Sequence, residues 1–161
     1  YNLGEHDCWS KISLWEGSVR VPLIISVPGY ENNYGTSCKT ITELLDLYPT
    51  LTELCGFFGK EPNILQGKSL TGYLSGEQAE DPDAYAYTVS YQGRDATIRT
   101  NQWRYTRWGD KAAPENEELY DHKNDPEEFV NLVDNPDFQN VLKEMRGKFD
   151  RAKSKAASGL K

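Results

Sequence analysis

Arg20-Val21-Pro22-Leu23-Ile24-Ile25-Ser26-Val27-Pro28-Gly29 is the stretch on which the reading of the fold turns. Its apolar residues run almost without a break instead of alternating. Such a run suits a strand covered on both faces, as in the sheet of an α/β domain. A buried strand is therefore expected over 19–27, ended by Pro28-Gly29. Upstream, residues 3–16 read as a loop with a short helical turn. Downstream, 30–39 is a polar loop and 40–44 a short strand. Pro49 fits the first turn of a helix, where its missing N–H costs nothing. The spacing predicts that helix over about 49–55, with Leu51, Leu54 and Cys55 inward and Gly56 as its left-handed stop. Residues 59–83, rich in Gly, Pro, Asp and Glu, read as a linker with one helical turn near 70–74.

The pattern changes at Ala84. Tyr85–Tyr91, Ala96–Thr100 and Trp103–Trp108 read as strands joined by tight turns at Gln92-Gly93 and Asn101-Gln102. Glu118–Asp121 is a fourth short strand. From Asp137 to about Lys153, Phe138, Val141, Leu142, Met145 and Phe149 recur at helical spacing, with Asp134 or Asn135 as the cap. The chain thus divides into 1–83, the end of an α/β domain plus linker, and 84–161, a small antiparallel sheet packed on a C-terminal helix. The tail from Ser154 is expected to fray.

The totals limit the function classes. Lys and Arg number 18 against 25 acids, a net charge of −7, which argues against a nucleic-acid binder. Aromatics at 12% argue against disorder, while 37% hydrophobic residues make a thin core. That thinness predicts reliance on a partner, either upstream polypeptide as a separate chain or a second copy. No apolar run reaches the length of a membrane span. Cys8, Cys38 and Cys55 make an odd set without a CxxC pair, so a structural zinc site is not expected. Cys55 reads as a small core residue, and one bridge among the three stays open.

Taken in order, Gly4-Glu5-His6-Asp7-Cys8-Trp9-Ser10-Lys11, the 20–29 run, Trp103-Arg104-Tyr105-Thr106 and Glu118-Leu119-Tyr120-Asp121-His122-Lys123-Asn124-Asp125-Pro126-Glu127-Glu128 resemble the C-terminal part of type I sulfatases. The likeness is to the iduronate-sulfatase-like and choline-sulfatase-like branches in particular, and it covers nearly the whole chain. It implies an alkaline-phosphatase-like mixed-sheet domain followed by the small antiparallel subdomain. It also implies a sulfuric ester hydrolase acting on a sulfate ester, on a sulfated sugar or glycan, with a formylglycine nucleophile and calcium. Family members of this kind work in the periplasm, outside the cell or in lysosomes. Phosphonate and phosphate monoester hydrolases share the scaffold, so they form the competing enzyme reading. The non-catalytic alternative is a fragment or interaction module.

The resemblance singles out three residues. Lys11 stands where the pattern places a lysine in the sulfate pocket. An ammonium there stabilises the charge that builds on the leaving oxygen as the S–O bond breaks, more in the transition state than in the ground state. Outside that pattern, a lone loop lysine is ordinarily a solvated one. His6, five residues earlier, is suited to donate to a sulfate oxygen or a sugar hydroxyl; its plain alternative is a ring bonded to loop backbone. Tyr1 falls at the pocket rim, where a ring can stack on a sugar face. Glu5 and Asp7 read as solvated loop carboxylates.

Other parts of the pattern are missing. The sequence contains no Cys-x-Pro-x-Arg or Cys-x-Ser-x-Arg, so the 161 residues alone are expected to be inactive. The acids present assemble no oxygen cage for calcium. Glu115–Glu128 holds seven acids but lacks the spacing of an EF-hand loop, and reads as a redirecting turn with a structural His122. Arg94, Arg99, Arg104, Arg107 and Lys111 read as the solvent face of a small sheet, with a patch for an anionic glycan or a nucleic acid strand as the less favoured alternative.

Overall fold

The computed structural model describes residues 2–9, 11–57, 59, 64–90 and 93–158. Helices α1 (Glu16–Val19), α2 (Leu47–Leu54) and α3 (Thr71–Ser75) precede the sheet. Strands β1 (Tyr85–Val89), β2 (Ala96–Thr100), β3 (Trp103–Arg107) and β4 (Glu117–Asp121) follow, and α4 (Gln139–Ser158) closes the chain. The strands form one antiparallel sheet in sequence order, so each connection is a local hairpin-type return. The expected first strand reached Tyr91, and its turn began at Gln92; both residues lie outside the described ones.

Register explains why this sheet has two different faces. Tyr87 pairs with Ile98, Ile98 with Tyr105, and Tyr105 with Leu119, so these four residues form one row across the sheet. Ile98, Tyr105 and Leu119 are fully buried, and they pack with Leu142, Met145, Phe149 and Ala152 of α4. Those α4 positions repeat every three or four residues, which turns one helix face onto the sheet. Tyr87 and Tyr105 both meet the Phe149 ring edge-on, at 5.5 and 5.3 Å between centroids. Each large apolar side chain removed from water here contributes about 1.5–3 kcal/mol. Asn135 caps the start of this region by accepting from the Asp137 N–H at 3.0 Å, and helix runs through Ser158, beyond the fraying point expected at Ser154.

Strand residues one position out of phase point to the other face. Thr97, Arg99, Arg104, Thr106, Glu118 and Tyr120 lie there, and His6, Leu14, Trp15 and Glu16 contact four of them: Arg99, Arg104, Glu118 and Tyr120. The segment that carries these contacts reaches the sheet through Leu14, 2% exposed, and through polar bonds described below.

The expected strand at 19–27 is not a strand. Val19 ends α1, and residues 20–27 form no regular element and have no ladder partner among the described residues. Val21, Leu23 and Ile24 are exposed, Ile24 to 91%. An apolar run becomes a strand only where neighbouring strands satisfy its N–H and C=O groups, and this run pairs with neither edge of the sheet described here, β1 or β4. Residues 40–44 likewise carry no strand. They lead into a 3-10 turn over Leu44–Asp46, fixed by reciprocal capping between Glu43 and Asp46.

Helix α2 forms and Gly56 stops it at φ 75°, but its orientation differs from the expected one. Leu51 is 56% exposed and Cys55 is exposed, so Cys55 is not a core residue. Thr50 is the buried position. Its hydroxyl accepts from the Leu70 N–H at 2.9 Å and donates to the Asp46 carbonyl. Polar bonds rather than apolar burial therefore hold this helix. Asp46 Oδ1 accepts from the Lys68 N–H at 2.7 Å. Gly67 allows that approach, because a Cβ there would stand 2.1 Å from the Leu45 carbonyl oxygen. The region is tied to the edge of the sheet by the Tyr87 N–H donating to Glu43 at 2.7 Å. The three cysteines are all unbridged.

Candidate functional site

The loop carrying His6 and Lys11 is built by backbone bonds before any side chain acts. Gly4 N–H donates to the Cys8 carbonyl at 3.2 Å, and Cys8 N–H to the Glu5 carbonyl at 3.0 Å. Gly4 sits at φ 122°, and a Cβ there would crowd Trp9 at 3.3 Å, so the position requires glycine. His6 and Asp7 are both left-handed, at φ 55° and 52°. Such backbone costs roughly 1–2 kcal/mol per residue and persists only where surroundings fix it.

Those surroundings are aromatic. The His6 ring lies flat on the Trp15 indole, with centroids 4.2 Å apart and planes within 3°. Tyr120 meets His6 edge-on at 6.2 Å, and Trp108 stands 5.5 Å from Trp15. The Trp15 Nε1–H donates to Glu118 at 3.0 Å. Burial pushes the Glu118 carboxyl above the ordinary glutamate range, despite hydrogen bonds from Trp108, Trp15 and Tyr120. His6 is thus the outer layer of a stack anchored on β4.

The next residue, Glu16, begins a second attachment. Its carboxylate pairs with Arg104 and, at 3.4 Å, with Arg99. Arg104 also binds Glu128 and the Leu14 carbonyl, the latter at 3.2 Å. Glu128 accepts from the Glu16 N–H at 2.8 Å and bonds the His122 ring at 2.7 Å. Burial works against the Glu128 charge, yet His122, Arg104 and the Glu16 N–H outweigh it and hold the carboxyl below its usual range. Arg104 and Arg107 are 1% and 6% exposed. Neither the solvent-face reading nor the glycan-patch reading fits them, since both guanidiniums are consumed inside the fold. Arg107 lies over the Phe149 ring at 4.5 Å and pairs with Asp150 at 2.9 Å. Arg99 Nη1 is buried with no acceptor among the described residues.

Glu16, His122 and Glu128 place their ligand-type atoms within 4.8 Å of one another. Arg104 already occupies both carboxylates. A guanidinium is the resident cation, so this cluster does not fit calcium. The expected turn after Asp125 is present, with Asp125 accepting from the Phe129 and Val130 N–H groups, and His122 is structural as expected.

Lys11 is exposed, and among the described residues no carboxylate pairs with it. From the residue after it, a hollow of about 310 Å³ opens between Ile12, Ser13 and Leu14 on one side and Arg94, Asp95 and Trp108 on the other. The structure therefore puts His6 and Lys11 on one loop, with His6 held against the sheet and Lys11 open. Tyr1 lies outside the described residues. Sequence reading missed Trp15, Glu16, Glu118 and Arg104 as the residues that hold this loop.

The fold and sequence match known proteins along most of the chain. The curated choline-sulfatase of Rhizobium meliloti is 36% identical over 137 residues, 83% of this chain and 25% of that protein. A sulfatase of Formosa agariphila is 30% identical over 146 residues, 91% and 27% of the two chains. The chain thus spans about a quarter of the curated relatives it matches. Among solved structures, a 2-O GAG sulfatase is similar at TM-score 0.56 and 30% identity, over 70% of this chain and 24% of that one. The phosphonate monoester hydrolase of Agrobacterium radiobacter shares the fold at TM-score 0.59 and 22% identity, over 82% and 28%. The family profile described as N-sulphoglucosamine sulphohydrolase, C-terminal, matches residues 4–155, and the chain belongs to that sulfatase family.

Proposed function

We propose that these residues form the C-terminal part of a sulfatase that hydrolyses a sulfate ester carried on a sulfated sugar. The observation that carries this reading is the family match from residue 4, which includes the whole Gly4–Lys11 loop. In this reading Lys11 reaches the sulfate or the leaving oxygen, and with no carboxylate paired to it among the described residues its charge is available. His6 donates to a sulfate oxygen or an adjoining hydroxyl. The hollow lined by Ile12, Arg94 and Trp108 takes part of the leaving group. Tyr1 completes the rim. The nucleophile and the calcium ligands come from polypeptide outside these residues, and the cut between the two parts of this chain falls near residue 83. The apolar stretch Val21–Val27 docks on that further polypeptide.

Inorganic sulfate release from 4-nitrophenyl sulfate, by the natural polypeptide that includes these residues, tests the reading. Phosphate and phosphonate monoesters run in parallel test the competing chemistry, which the hydrolase neighbour supports by fold alone. Faster turnover of a phosphonate monoester than of any sulfate ester overturns the sulfatase assignment. The 161-residue chain by itself is expected to release no sulfate, because it contains no formylglycine motif.

A further inference from the structure

We propose that Trp15 and Glu118 are positioning residues for His6, so that the C-terminal sheet sets the orientation of the imidazole that meets the substrate. The inference rests on the reading of His6 as a substrate group and deepens it. Nothing in His6's own backbone favours its place, since both it and Asp7 are left-handed. What fixes the ring is a chain of contacts. His6 is stacked on Trp15 at 4.2 Å, Trp15 donates its Nε1–H to Glu118 at 3.0 Å, and Glu118 is held in β4. The flat stack engages the ring face and leaves the ring nitrogens, which lie in the ring plane, outside the contact with the indole. Neighbouring bonds between Glu16 and Arg104 hold the backbone on the C-terminal side of Trp15. A ring oriented in advance loses little freedom when it binds an anionic group, which favours binding and correct geometry together.

The test is a double-mutant cycle in the natural polypeptide that includes these residues, with 4-nitrophenyl sulfate as the probe. His6→Ala is expected to lower kcat/KM about tenfold, the loss of one hydrogen bond to a charged group. Trp15→Leu is expected to lower it about fivefold in the parent background and to change it little in the His6→Ala background. Trp15→Phe keeps a ring under His6 but loses the Nε1–H bond to Glu118, so its loss should fall between the parent and Trp15→Leu, and retention of full activity would remove Glu118 from the positioning role. It also serves if Trp15→Leu fails to fold. The NMR signals of the His6 ring protons, moved upfield by the indole face, should return toward ordinary positions in Trp15→Leu. Equal losses from Trp15 substitution with and without His6 overturn the proposal, as does an unshifted His6 ring in the parent protein. Full activity of His6→Ala is a different result. It removes His6 from the substrate site and takes the positioning role with it.

Discussion

Arg104 and Glu128 form an ion pair in which each side chain keeps 1% of its surface. They come from β3 and from the turn after Asp125, and Glu16 joins them from the opposite end of the sequence. A buried pair of this kind adds little over a well-packed apolar substitute, but removing one partner leaves an uncompensated charge. Glu128→Gln is therefore expected to cost about 3 kcal/mol, or roughly 6–12 °C in Tm for a chain of this size. Thermal melts of the two proteins at pH 7 measure it. A change within about 2 °C of zero, the size expected of a surface substitution, would show that Arg104 is satisfied without Glu128.

The pH dependence of two glutamates runs in opposite directions. Glu128 is held below its ordinary value of 4.5, chiefly by His122 and Arg104 acting against burial. Its stabilising effect is complete above the unfolded value and is lost as pH falls through the folded one. Glu118 is raised by burial. Its folded form prefers the proton, so its contribution is most favourable below the unfolded value and declines as pH rises through the folded one. The defect of Glu128→Gln should thus shrink in acid. Glu118→Gln should melt above the parent at pH 7 and lose that advantage near pH 4, measured by parallel melts across this range. Parallel pH profiles for the two variants would contradict the assignment of opposite shifts.

Core packing gives a third expectation. Phe149 is 1% exposed and meets Tyr87, Tyr105 and the Arg107 guanidinium. Phe149→Ala removes the ring and leaves a cavity, at a cost of about 3–5 kcal/mol. Ile24, 91% exposed, is the contrast. Ile24→Asp in the isolated chain should change stability by no more than about 0.5 kcal/mol. Denaturant titrations of both variants decide this. A large loss from Ile24→Asp would mean that the 20–27 run is covered in solution by another copy of the chain.

How legible these features were in the sequence depended on how local their causes are. β2 was read with its observed ends, because strand alternation and tight turns act within a few residues. α4 was read for the same reason, from Leu142, Met145 and Phe149 at helical spacing. The 19–27 run failed because continuous apolarity reports a need for cover without saying what supplies it. Arg104 looked like a surface residue because its partners, Glu16 and Glu128, are distant in sequence. Its alternation with Trp103 and Tyr105 does place it on one face of the sheet, but the residues that meet it there, Leu14, Glu16 and Glu128, lie far away in sequence. His6 and Lys11 were legible through family resemblance alone. The stack on Trp15 has no sequence signature, since two aromatic rings nine positions apart meet only because the backbone at His6 and Asp7 turns left-handed.

Lys11 carries the last prediction. It is exposed on the loop, so Lys11→Ala should leave Tm unchanged within about 0.5 kcal/mol of stability. In the natural polypeptide that includes these residues, the same change should lower kcat/KM for a sulfate ester by roughly 10²–10³, the loss of one charge-stabilising donor. Most of that loss should fall in kcat if the ammonium meets charge that develops on the leaving oxygen, and in KM if it meets the sulfate equally in both states. Lys11→Arg should recover only part of it, because a planar guanidinium replaces a compact point charge. Leaving-group dependence separates the two contacts further. A donor on the leaving oxygen matters more for a poor leaving group such as a sugar hydroxyl than for nitrophenolate, whose charge the ring itself disperses. The Lys11→Ala defect should therefore be larger on a sulfated sugar than on 4-nitrophenyl sulfate. Equal defects on both substrates would assign Lys11 to the sulfate group instead, and parent-like kinetics on both would remove it from the reaction.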